Sequence, residues 1–214
     1  MNPPMNQAIS GLYAVTPDLA DTAVLLAKTQ AALAGGARLL QYRNKTADDN
    51  LRREQAAALR ELCRRYGAIL IINDHVKLAH EIDADGVHVG ADDAAVAAAR
   101  TRLGHGKIIG ATCYSDLQRA LAAAAQGADY VAFGSFFVSS VKPGAVRAPL
   151  ALLRQARRQV TIPLVAIGGI TLDNAAGLID AGANAVAVIS ALFAVPDVEV
   201  ATRSFCRLLQ VKMA

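Results

Sequence analysis

The feature that most constrains this chain is an alternation of eight short apolar runs, each followed by a stretch with helical spacing. The predicted strands are Gly11 to Pro17, Arg38 to Tyr42, Ala68 to Ile72, Gly86 to Val89, Lys107 to Thr112, Asp129 to Phe133, Pro163 to Ile167 and Ala185 to Ile189. Helices are predicted over Asp21 to Ala34, Ala47 to Tyr66, Val76 to Glu81, Asp92 to Leu103, Ser115 to Ala125, Pro149 to Gln159, Leu172 to Ala181 and Val198 to Val211. The strand runs are apolar throughout rather than alternating, as parallel strands buried on both faces must be. A weak repeat marks the joints: Gly36-Ala37, Gly127-Ala128 and Gly182-Ala183 each close a helix before a strand, with Ala84-Asp85 as a relative. Right-handed crossovers through eight such units close into a (β/α)₈ barrel of the TIM type. An open doubly wound sheet is the alternative, and the chain lacks the early glycine-rich turn of its dinucleotide-binding form. The expectation is one α/β domain over residues 11–214, after a flexible N-terminus over 1–10.

Composition agrees with a single well-packed core: 214 residues, 54% hydrophobic and 19% charged. No apolar run reaches the length of a membrane span, and the first ten residues lack the features of a signal peptide, so the cytoplasm is the expected compartment. Cys63, Cys113 and Cys206 lack metal-ligand spacing and read as buried or incidental reduced thiols. The net charge of +4 suits anionic ligands. The pairs Arg52-Arg53, Arg64-Arg65 and Arg157-Arg158 read as solvated faces of separate helices without interleaved aromatics, so no nucleic-acid partner is expected. Self-association into a homo-oligomer is left open.

Active sites in such barrels lie at the C-terminal strand ends. Strand two ends in Gln41-Tyr-Arg-Asn-Lys45, where Arg43 and Lys45 suit the oxygens of a polyphosphate, or form a basic pair on a surface loop. Strand three ends in Asn73-Asp74 and strand four in Gly90-Ala-Asp-Asp93. Carboxylates on adjacent strand ends repel unless a cation lies between them, and such oxygen donors suit Mg²⁺ shared with substrate phosphates. The competing reading is helix N-capping by the same aspartates. Strand five ends in Thr112, whose hydroxyl either donates to a ligand or caps the turn before Ser115. The long loop Gly134 to Ala148 carries hydroxyls and Lys142, as a lid or as a polar surface loop. Strands seven and eight end in Gly168-Gly169 and Ile189-Ser190, the place of the common phosphate cradle in this fold. His75, His80, His88 and His105 read as structural imidazoles, with His88 placed to point into the barrel. These residues describe a mouth that holds a diphosphate at one end and a monophosphate at the other.

The same residues resemble the thiamine-phosphate synthase family. The resemblance spans nearly the whole chain and rests on Gly11-Leu-Tyr-Ala-Val-Thr, Gln41-Tyr-Arg-Asn-Lys45, Ile72-Asn-Asp74, Asp85-Gly-Val-His-Val-Gly90 with Asp93, the Lys142 loop, Ala166-Ile-Gly-Gly-Ile170 and Val188-Ile-Ser-Ala191. It implies coupling of an aminopyrimidine diphosphate to a thiazole phosphate with diphosphate leaving, two small-molecule substrates, and Mg²⁺ as cofactor. Asp74 and Asp93 would bind the Mg²⁺. Gln41, Arg43, Lys45, Asn73 and Lys142 would hold the pyrimidine diphosphate, with Arg43, Lys45 and Lys142 stabilising the leaving group. Thr112, Ser139, Gly169, Ile189 and Ser190 would hold the thiazole phosphate. One departure stands out: the family loop usually reads Pro-Thr-x-Thr-Lys, and here it is Val138-Ser-Ser-Val-Lys142, where Ser139 keeps a hydroxyl and Val141 does not. A thiazole tautomerase on the same barrel has no use for the Arg43, Lys45, Asp74, Asp93 and Lys142 set. A non-catalytic phosphate-ligand sensor is the rival from another class, and a sugar-phosphate epimerase would need paired acid and base groups that do not emerge.

Overall fold

The computed structural model describes residues 8–90, 93–138 and 147–213, with the backbone alone at 93, 94 and 213. Within them, β1 (Gly11–Val15), β2 (Leu39–Tyr42), β3 (Ile69–Asn73), β4 (Gly86–Val89), β5 (Ile108–Tyr114), β6 (Tyr130–Phe133), β7 (Leu164–Ile167) and β8 (Ala185–Val188) pair in parallel in chain order, and β8 closes on β1. The helices are α1 (Thr22–Ala34), α2 (Asp49–Tyr66), α3 (Val76–Glu81), α4 (Asp93–Leu103), α5 (Leu117–Ala125), α6 (Leu150–Gln159), α7 (Leu172–Asp180), α8 (Ser190–Phe193) and α9 (Val198–Met213). No described helix is long and apolar enough to cross a membrane.

The strands are apolar throughout because successive residues enter two separate cores. Tyr13, Val15, Leu39, Ile71, Ile108, Tyr130, Val165 and Ala187 fill the barrel interior. Their neighbours Ala14, Leu40, Ile72, Ile109, Val131, Ala166 and Val188 pack outward against Leu33, Leu59, Leu153, Leu178 and Phe205 of the surrounding helices. Side chains alternate across a strand, so a strand buried on both faces carries no polar phase. Helix starts follow their caps: Asp21 accepts from Val24 N at 3.0 Å and Asp48 from Leu51 N at 2.8 Å.

The joint repeat has a structural basis at the N-terminal face. Asp85 Oδ2 accepts the Leu70 amide and Arg60 Nη1, both at 2.8 Å. Asp129 Oδ2 accepts the Ile109 amide at 2.7 Å and Arg100 Nη2 at 2.6 Å. Asn184 Oδ1 accepts the Leu164 amide at 2.9 Å. The side chains that open β4, β6 and β8 thus hold the strand before them, whereas Arg38, ahead of β2, donates to the carbonyls of Leu33 and Ala37. These clamps lie opposite the mouth, on the face where barrels keep stability rather than chemistry.

Three expectations need correction. Ile9, placed in a flexible leader, is fully buried in the inner core and closes the barrel floor. The short α8 was not predicted, since four residues give no helical period to read. β5 runs on to Tyr114 because its register with β6 shifts between Thr112 and Tyr114. Cys63 and Cys113 are buried and Cys206 partly so, in agreement with the sequence reading.

Candidate active site

The rim over β1 and β2 is built by the loop after β1. Thr16 is fully buried; its hydroxyl donates to Arg43 O and accepts from Arg43 N, both at 2.9 Å. Asp18 Oδ1 takes the Arg43 Nη1 at 2.9 Å and the Lys45 amide at 2.8 Å. One carboxylate therefore aims the guanidinium and shapes the backbone that presents Lys45. Asn44 is spent on structure: its Nδ2 donates to Leu19 O at 2.7 Å, and its Oδ1 accepts from Thr46 and Ala47. Tyr42 donates to Gln55 Oε1 at 2.8 Å, and burial pushes its pKa up to about 12.

At the end of β3, Asp74 has φ 61°, a left-handed conformation uncommon for a residue with a side chain. The capping reading fails for it. The residue at the start of α3 is His75, which makes no side-chain cap, and the Asp74 carboxylate accepts only from Asn73 Nδ2, at 2.7 Å, among the described residues. Asp93 opens α4 after β4, on the same face of the barrel; its side chain lies outside the described residues, as do Asp92, Ser139 and Lys142.

Between the ends of β2 and β3 lies a cleft of about 250 Å³ lined by Tyr42, Asn44, Lys45, Arg52, Asn73, Asp74 and His75. Arg52 corrects the sequence reading. Expected on a solvated face, its side chain is 13% exposed and turns into this cleft, while Arg53 is the solvated partner at 56%. Arg52 Nη1 pairs with Asp49 at 2.6 Å, Nη2 donates to Ala47 O, and Nε is buried without a partner among the described residues. Burial, aided by the nearby Arg52 charge, pulls the His75 pKa down and favours a neutral imidazole there.

A polar chain crosses the barrel interior beneath the mouth. Gln41 Nε2 lies 3.0 Å from Tyr13 Oη, Tyr13 Oη 2.8 Å from Tyr130 Oη, Tyr130 Oη 2.9 Å from His88 Nδ1, and His88 Nε2 2.8 Å from Thr112 Oγ1. The Tyr13 and Tyr130 rings meet edge-on, 5.9 Å apart, and His88 stacks on Tyr130 at 5.5 Å. Gly110 makes the room, since a Cβ there would lie 2.0 Å from Tyr130 Cζ. His88 points inward with both nitrogens bonded, as a satisfied structural imidazole, and Thr112 bonds to it rather than capping a turn.

The opposite half of the mouth is formed by the loops after β6, β7 and β8. Residues 135–138 lie across the glycine pair: Phe136 N donates to Ile167 O at 3.2 Å and Phe137 N to Gly168 O at 3.0 Å. Gly168 and Gly169 have φ of 105° and 63°, and a Cβ would stand 1.9 Å from Ser135 Oγ at the first and 2.2 Å from Val138 O at the second. The pair is glycine first for this loop contact, a reason the sequence did not reveal. Ile189 packs on the inner core and precedes Ser190, the first residue of α8.

Sequence reasoning missed Asp18, Arg52, Tyr13 and Tyr130. Asp18 was within reach, because it stands just past the end of β1, where the strand-end rule applied to the other strands would have found it.

Comparison with known proteins bears on the family and the fold. Residues 12–192 match the family model described as thiamine monophosphate synthase. The chain is 58% identical over 200 residues to the thiamine-phosphate synthase of Methylobacillus flagellatus, covering 94% of this chain and 95% of the relative. It is 54% identical over 202 residues to that of Nitrosospira multiformis, covering 94% and 86%. The solved structure of thiamine phosphate pyrophosphorylase from Pyrococcus furiosus superposes with a TM-score of 0.87 at 35% identity, covering 99% of this chain and all of that one. The chain belongs to the thiamine monophosphate synthase family.

Proposed function

We infer that this barrel couples 4-amino-2-methyl-5-hydroxymethylpyrimidine diphosphate with 4-methyl-5-(2-hydroxyethyl)thiazole phosphate, giving thiamine phosphate and diphosphate. Family membership supports the reaction. The observation that carries the assignment of residues is the cleft at the ends of β2 and β3, which Lys45 and Arg52 line together with an Asp74 carboxylate that forms no ion pair among the described residues.

Asp74 fits Mg²⁺: it is an exposed, hard oxygen donor, not spent on a cap, at the end of the strand that pairs with β4. Asp74 and Asp93 would hold the ion, together with water and phosphate oxygens. When bound, Mg²⁺ supplies positive charge against the diphosphate.

In this reading Arg43, aimed by Asp18, grips the diphosphate in a fork, and Lys45, Arg52 and Lys142 add point charges along it. The bond from the pyrimidine methylene carbon to the diphosphate oxygen breaks, and its electron pair leaves with the oxygen. The ring amino group donates electron density to the methylene cation that remains, and the thiazole nitrogen supplies the pair for the new carbon–nitrogen bond. No proton moves in either step, which suits a mouth whose His88 is locked in structural bonds. The cations do the catalytic work by stabilising charge that builds on the leaving group. Gln41 orients the pyrimidine and Asn73 adds a contact to its diphosphate; Thr112, Ser139, Gly169, Ile189 and Ser190 hold the thiazole phosphate.

The test is to incubate the purified protein with both substrates and Mg²⁺ and quantify thiamine phosphate and diphosphate. Equimolar formation of the two is expected. Absence of product at saturating substrate, with thiazole phosphate still bound, would replace the reading with a sensor; interconversion of thiazole isomers without coupling would replace it with a tautomerase.

A further inference from the structure

We propose that Asn174 is a positioning residue for the monophosphate end of the mouth. Its side-chain amide holds the Gly169 carbonyl, so that the loop after β7 presents N–H groups rather than a carbonyl to the acceptor's phosphate. The inference rests on the functional reading above, because it takes that loop as a seat of the thiazole phosphate.

Three consecutive carbonyls of that loop are each taken by a donor. Ile167 O accepts from Phe136 N at 3.2 Å, Gly168 O from Phe137 N at 3.0 Å, and Gly169 O from Asn174 Nδ2 at 3.1 Å. The first two donors are backbone amides of another loop. The third is a side chain, so the loop has one hold that rests on residue identity. The Gly169 and Ile170 amides, by contrast, have no hydrogen-bond partner among the described residues.

Helix capping alone does not account for an asparagine here. Asn174 is the third residue of α7, and its Oδ1 accepts the Thr171 amide at 2.9 Å. A glutamate, a common residue at that place in a capping box, makes this bond as well. A carboxylate has no proton left for Gly169 O, whereas an amide accepts from Thr171 and donates to Gly169 at once.

The hold matters because two glycines make the backbone loose at this point. Gly168 and Gly169 have φ of 105° and 63° and carry no Cβ to restrict ψ. The C=O and N–H of a trans peptide point opposite ways, so fixing Gly169 O also fixes the Ile170 N–H. Once released, the Gly169–Ile170 peptide is free to turn its carbonyl towards the mouth, where that partial negative charge would meet the phosphate. Ile170, buried in the outer core, keeps the loop itself in place, and the change stays local to that peptide.

The test measures dissociation constants by calorimetry, without turnover, for the thiazole phosphate and for the same thiazole bearing a free hydroxyl. Asn174→Ala should weaken binding of the phosphate ester about tenfold and leave the unphosphorylated thiazole, and KM for the pyrimidine diphosphate, within about twofold. Asn174→Gln, which keeps both an acceptor and a donor, should recover most of the loss. Equal weakening of both thiazoles, or a lower Tm with neither weakened, overturns the proposal, because a residue that only caps α7 does not distinguish a phosphate. Should Asn174→Ala fold poorly, Asn174→Asp keeps the Thr171 bond and loses the donor; unchanged binding of the phosphate ester by that variant overturns the proposal as well. Wild-type protein that binds thiazole phosphate but makes no thiamine phosphate overturns the functional reading alone, and the ratio of the two constants still decides the role of Asn174.

Discussion

The buried His88 makes the barrel sensitive to acid in a calculable way. Burial lowers its pKa from 6.5 to about 4, with the Asp74 carboxylate opposing only in part. In the unfolded chain the imidazole titrates near its ordinary value of about 6.5. Below that pH the unfolded chain binds a proton that the folded barrel refuses, so stability falls as pH falls. The contribution is fully present above about pH 6.5 and is lost progressively down to about pH 4. The whole gap is worth about 3 kcal/mol, of which about 2 kcal/mol is gone between pH 7.5 and pH 5. For a chain of this length that lowers the Tm by about 4–8 °C. The assay is urea unfolding across that range in metal-free buffer, for wild type and for His88→Gln, whose amide still bridges Tyr130 and Thr112 but does not titrate. Other groups, His75 among them, act in both proteins and cancel in the difference. The wild-type curve should fall more steeply by about 2 kcal/mol; parallel curves would refute the reasoning.

Further outcomes follow from the mouth and from the floor. Asp74→Asn should lower the coupling rate at least about tenfold without loss of Tm, since asparagine tolerates the left-handed backbone of that position, and Lys142→Ala should lower the rate by a similar factor. Steady-state kinetics with a Mg²⁺ titration check both. Arg52→Met should raise KM for the pyrimidine diphosphate by about tenfold and leave KM for the thiazole phosphate nearly unchanged, because its charge stands in the β2–β3 cleft. Asp129→Ala strands the Ile109 amide and removes the counter-charge of Arg100, which keeps its bonds to the Gly104, Lys107 and Gly127 carbonyls, and should cost about 2–4 kcal/mol in urea unfolding with little effect on KM.

Strand count, order and polarity were legible because each strand is a compact apolar run ahead of a helical stretch, and Gly-Ala or Ala-Asp joints mark the approach to β2, β4, β6 and β8. Once the barrel was drawn, its C-terminal strand ends gave the candidate residues, and Gln41, Arg43, Lys45, Asn73, Asp74 and Thr112 all stand there. The interior chain was not legible. Tyr13 and Tyr130 sit in apolar runs and read as core, and their hydroxyls meet only when strands 117 residues apart in sequence face each other across the closed barrel. Arg52 escaped for a different reason: adjacent arginines differ by a fraction of a helical turn, and the packing of α2 against β2 and β3 decides which one faces the mouth. The role of Gly168 and Gly169 was hidden too, since the contact that requires them comes from the loop after another strand.

The central claim is that the mouth has a diphosphate end at β2–β3 and a monophosphate end at β7–β8. A crystal structure of the protein with Mg²⁺, thiamine phosphate and diphosphate tests it most directly. The account predicts diphosphate against Arg43, Lys45 and Asn73 with the ion on Asp74, and the thiamine phosphate group at the Gly169 and Ser190 loops. Diphosphate lodged at the Gly169–Ser190 end, with the Asp74 carboxylate unengaged, would contradict it.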